Sequence, residues 1–234
     1  MSRLLLLVAV ALAAAAAAAA PAHATSECRG FMICVPIAGP WVVVPTSGGV
    51  PRPQVEFQLT CPRGYIVGGL DAELSDRGID VAFGGALGSP VNPGITTSRS
   101  AVFVGTHVAG GARAPTFRPH IGCIPAQGGG GRIPTASHAV FPPGKPTERR
   151  VRTVRVQPGS VGVAVRCAAG ERLVGGSHAV GFYGPRPPGE PLVRSVTARH
   201  ALALNHVTAV IRAAPAVARV RAVVQLAAVC AGGQ

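Results

Sequence analysis

From residue 55 the chain alternates: Val55, Phe57, Leu59 and Cys61 are separated by Glu56, Gln58 and Thr60, the two-residue period of a strand with one buried face. The same register returns at Val161, Val163, Val165 and Cys167, with Gly162, Ala164 and Arg166 between them. Two later stretches end alike. Phe117, Pro119, Ile121 and Cys123 share one face, as do Val220, Ala222, Val224, Leu226, Ala228 and Cys230. All four cysteines therefore point inward from strands. The runs 79–83 and 101–104 read as strands on either side of a Gly/Pro/Ser/Thr loop, 84–100. Residues 41–44, bounded by Pro40 and Pro45, read as an edge strand. Residues 149–156 read as strand. So do 216–228, where Arg219, Arg221 and Gln225 alternate with the apolar set despite much alanine.

The pattern repeats at larger scale. Cys61-Pro62-Arg63-Gly64 leads to Gly68-Gly69, and Cys167-Ala168-Ala169-Gly170 leads to Gly175-Gly176. From the second glycine to the closing cysteine is 54 positions in both cases (69 to 123 and 176 to 230), and the cysteines stand 62 and 63 apart. The spacing predicts an all-β protein of two tandem antiparallel β-sandwich-like or open-barrel repeats, residues 25–131 and 132–234, each with an internal disulfide. The glycine-rich tract 127–132 is the linker candidate, with a second break at 141–146. An apolar run before His107-Val108 suggests a counterpart in the run before His206-Val207.

The N-terminus has the charged, apolar and small-residue regions of a secretory signal peptide, residues 1–24, with cleavage after Ala24. No later stretch is apolar and long enough for a transmembrane span in the mature chain. Localisation is then secreted, periplasmic or extracellular. Six cysteines in an oxidising compartment read as three disulfides. Spacing favours Cys28–Cys34, Cys61–Cys123 and Cys167–Cys230, although six cysteines allow about 15 connectivities and the others stay open. A loop closed over such a length stabilises by roughly 4 kcal/mol in the loop-entropy model.

Charge separates the halves. Residues 25–131 hold 7 basic and 6 acidic side chains, while 132–234 hold 14 and 3, a net of +11. All the basic residues but Lys145 are arginine, a skew that GC-rich coding also produces. Arg149, Arg150, Arg152, Arg155, Arg219 and Arg221 are the candidate binding residues for an anionic cell-surface polymer or glycan. No specific nucleic acid is expected as partner. Asp71, Glu73, Asp76 and Asp80 are four of nine acids and a candidate Ca²⁺ set, but they match no known calcium loop, so neither metal nor cofactor is expected. No His-x-x-x-His pattern supports zinc. Gly175-Gly176-Ser177-His178 lacks the final glycine of a nucleophile elbow. Of the aromatics, Phe57, Phe83, Phe103 and Phe117 fall on core faces. Trp41, Tyr65, Phe182 and Tyr183 are left as candidate exposed rings. The sequence reading is a secreted bacterial, non-catalytic binding or structural protein. The alternative is an extracellular hydrolase or protease inhibitor that uses the acidic and loop region 71–100.

Overall fold

The computed structural model describes residues 25–46, 53–84, 99–108, 114–126 and 147–232. The predicted signal peptide, both linker tracts and most of the loop 84–100 lie outside these residues. The described chain is nearly all antiparallel β. In the N-terminal half the strands are β1 (Val35–Ala38), β2 (Trp41–Val43), β3 (Gln54–Thr60), β4 (Tyr65–Leu74), β5 (Ile79–Gly84), β6 (Ser100–His107) and β7 (Thr116–Pro125). In the C-terminal half they are β8 (Thr147–Arg155), β9 (Gly159–Arg166), β10 (Arg172–Tyr183), β11 (Val196–Leu202), β12 (His206–Ala213) and β13 (Arg221–Ala231). A five-residue helix, α1 (Glu190–Arg194), precedes β11 and was not foreseen.

A seven-stranded sheet runs through the molecule, with β4 on β7, β1 and β2 end to end along the other edge of β7, and then β10, β13 and β8. Two three-stranded sheets, β3-β6-β5 and β9-β12-β11, cover it. Alternation along β13 decides which face each covers. Val223 packs with Phe57, Phe103, Phe117 and Val42 in one core, and its neighbour Val224 packs with Val163, Val207 and Ile211 in the other. Successive residues of a strand point to opposite faces, so the small sheets lie on opposite sides of the large one.

The 41–44 stretch is not at an edge. β2 pairs with β7 on one side and β10 on the other, joining the two halves. Its flanking prolines lie outside the paired residues and remove none of their N–H donors, so the usual reason for placing proline-flanked strands at edges does not apply. Trp41 is 4% exposed and donates its indole N–H to the Gly184 carbonyl.

All three cysteine pairs named above are disulfides. Cys61 and Cys167 follow the first strands of the small sheets, and Cys123 and Cys230 lie in the large sheet, so two of the bonds tie a small sheet to the large one. Val67 stands opposite Cys123 and Leu173 opposite Cys230, and each strand then bulges by one residue, Gly68 or Val174. Gly69 therefore corresponds to Gly175. The shared interval of 54 had matched it to Gly176, one residue out of register. The two histidine strands are likewise shifted: Ser100 pairs with Thr60, whereas His206 pairs with Arg166, so His107 and His206 stand at opposite ends of comparable strands.

Residues 216–219 are a 3-10 turn, part of Pro215–Arg219, rather than strand. Pro215 has no N–H to give a ladder and a φ preset for a turn, and the Ala214 carbonyl accepts the Val217 N–H. Phe83 lies on the inner face by register, yet β5 is an edge and leaves it 46% exposed against Phe103. Phe182 is buried, while Tyr65 and Tyr183 are half-buried. Among the described residues no helix is long and apolar enough to cross a membrane.

Candidate functional site

The acidic residues divide. Asp71 and Glu73 leave β4 on one face and meet His120 and Arg118, their register partners on β7. Asp76 turns back to accept the Gly78 N–H, and Asp80 lies exposed on β5. Glu27 completes the first group from the N-terminal loop. It is 4% exposed and His120 5%. One Glu27 carboxylate oxygen lies 3.7 Å from His120 Nδ1, and Glu73 lies 3.5 Å from Nε2, so the imidazole stands between two carboxylates. Arg118 bonds the Gly39 carbonyl and lies 3.8 Å from Glu73. Glu27 Oε2 and His120 Nε2 make no hydrogen bond.

Glycine permits this arrangement. A Cβ at Gly69 would fall 1.9 Å from the Glu27 carbonyl oxygen and one at Gly122 would fall 2.1 Å from it. The loop held by Cys28–Cys34 therefore rests directly on two bare backbone positions. Burial pushes the His120 imidazole below its ordinary value, outweighing the upward pull of Glu27 and Glu73, and Arg118 adds to the downward shift. Burial works to raise Asp71, but hydrogen bonds from the Ser26 N–H, the Ala72 N–H and the Ser26 hydroxyl hold it below the usual carboxylate value. The cluster anchors a terminal loop through charge and hydrogen bonds. Glu27 and His120 present almost no surface to a substrate.

The candidate arginines also separate. Arg149 binds Glu56 of the first half and lies near Ser177, which itself donates to Glu56. Arg150 is held by Glu148 and Glu171. Arg152 and Arg155 are exposed and form no ion pair among the described residues, but an odd separation puts them on opposite faces of β8. Arg219 is exposed on the 3-10 turn, and Arg221 covers the Tyr183 ring at 4.2 Å.

A more coherent basic surface is one the sequence reading did not single out. On the β9-β12-β11 sheet, Val207, Ala209 and Ile211 face the core, so Thr208, Val210 and Arg212 face out. Arg199 pairs with Val210 and Arg166 with His206, on that same outward face. Arg166, Arg199 and Arg212 are exposed and form no ion pair among the described residues. The alternation of Val163 and Val165 with Arg166 already carried part of this signal.

The histidines contain a second surprise. His178 of β10 and His200 of β11 bring their Nδ1 atoms to 2.6 Å. Burial, and then the neighbouring His200, lower the His178 value against a hydrogen bond to the Ala198 backbone. Cys167, Glu171 and Cys230 bring their ligand atoms within 4.8 Å of one another, but the disulfide removes both thiolates. Comparisons of the chain with protein-family models, curated proteins and solved structures gave no match.

Proposed function

We propose that this is an exported, non-catalytic β protein acting as a binding or structural component at or beyond the cell surface, and that its C-terminal half contacts anionic polymers or glycans. The observation that carries this reading is the outward face bearing Arg166, Arg199 and Arg212 with no acidic partner among the described residues. Guanidinium groups spread along one outward face suit repeating sulfate, carboxylate or phosphate, because each group can make two parallel charged hydrogen bonds. Export is supported by the N-terminal pattern and by three disulfides in a small protein. The two tyrosines are half-buried, which limits the ring surface that they offer for stacking on neutral sugars.

The test is binding of the chain to polyphosphate and to a sulfated polysaccharide at two salt concentrations. Replacing Arg166, Arg199 and Arg212 together by Ser is expected to weaken binding about tenfold or more at low salt and to flatten its salt dependence. Equal affinity of wild type and triple variant rules out this surface.

A further inference from the structure

His178 and His200 meet on the side of the large sheet that carries the β9-β12-β11 layer. Their rings lie 4.8 Å apart, tilted by 58°, with the two Nδ1 atoms facing each other. We propose that this pair is a binding site for a divalent transition-metal ion of the imidazole-preferring class, Cu(II) ahead of Zn(II), held by the two Nδ1 atoms with solvent filling the remaining positions.

Ligand type selects the metal. Neutral imidazole nitrogen suits copper, zinc and nickel, whereas calcium and magnesium need oxygen ligands. Among the described residues no third histidine, cysteine or acidic ligand atom gathers with the pair. That leaves a site open to solvent, with no carboxylate to favour a hard cation. For equal ligands the order of affinity puts Cu(II) above Zn(II).

Packing limits the pair on the β10 side. The His178 ring lies beside the Ala198 backbone of β11, and a contact there can orient a metal-bound histidine. Gly176, two residues before His178, faces Leu202, two residues after His200. A Cβ at Gly176 would stand 2.6 Å from Leu202 and 2.5 Å from Val207. The bare backbone there lets β11 approach β10, and the next contact along the two strands is the histidine pair. The missing side chain at Gly176 thus leaves room for Leu202 and Val207 beside the histidine pair.

Nitrogens bound to one ion at about 2.0–2.1 Å each stand about 3 Å apart, so the rings must open by a few tenths of an ångström. His200 is exposed on an edge strand and has room to tilt. In the metal-free pair one Nδ1–H donates to the other nitrogen. On binding, that proton moves to Nε2 of the same ring, so two neutral histidines take the ion with no net proton change. The site is independent of the polyanion reading.

The experiment is titration of the full tag-free chain with Cu(II) and Zn(II) by calorimetry, with electron paramagnetic resonance of the copper form. The expected result is one Cu(II) per chain with two imidazole nitrogens in its spectrum, and weaker Zn(II). His178→Asn and His200→Asn should each weaken Cu(II) binding about tenfold or more, and Gly176→Ala should weaken it by separating the rings. His206→Asn, on the outward face, should leave it unchanged. His200 is exposed, so its variant keeps the fold and decides the question even if His178→Asn does not fold. Copper affinity equal in wild type and His200→Asn, or no copper bound by wild type, overturns the proposal.

Discussion

His120 shows how one buried residue makes stability depend on acidity. In the fold its proton is held less readily than at the ordinary value of 6.5. Between its folded and unfolded values the unfolded chain therefore carries more protons, and stability rises with pH there. The contribution is complete above pH 6.5 and is lost as pH falls below it. Glu27, Glu73, Asp71 and Arg118 all face the ring, and Asp71, held low, adds a separate loss only under more acid conditions. Denaturant midpoints measured from pH 8 to pH 5 should fall more steeply for wild type than for His120→Gln. Parallel profiles would show that His120 does not titrate differently on folding. The sequence placed Asp71 and Glu73 on a candidate site but missed His120 and Glu27, because the partners lie on another strand and a terminal loop.

At the scale of elements, the Gly-Gly motif has two different tasks. In β4, Gly68 is the bulge residue and Gly69 seats the N-terminal loop; in β10, Gly176 admits Leu202 and Val207. Period and spacing identified the glycines, but what each one touches depends on the layer packed above it. Gly69→Ala should expel the loop from its seat, since the new Cβ and the Glu27 carbonyl cannot share the space. Limited proteolysis within residues 25–34 should then be several-fold faster, with the two other disulfides intact by peptide mapping. Unchanged cleavage would mean that the strand shifts to accommodate the methyl group. The short β2 teaches the same lesson in reverse. Its prolines read as marks of an edge, yet both its flanks are paired.

Across the whole molecule the halves are joined by β2 on β10, by Arg149 with Glu56, and by Gln225. Gln225 is 4% exposed, and its side-chain amide accepts the Gln58 N–H and donates to the Gln58 carbonyl, as a neighbouring strand would. It satisfies backbone groups on the free side of β3 that burial would otherwise leave unpaired. Gln225→Leu is expected to cost about 2 to 4 kcal/mol, the penalty of two buried backbone groups without partners, read from urea denaturation. A loss below about 0.5 kcal/mol would show that water reaches Gln58 instead. By itself the sequence determined the strand class and the inward facing of the paired cysteines, because a two-residue period and a residue's side of a strand are local properties. Only the tertiary structure decided which side of the large sheet each small sheet covers, that Arg166, Arg199 and Arg212 share one outward face, and that His178 and His200 meet. Those relations join positions far apart in the chain, where no local period relates one to the other, and they exist only once layers pack.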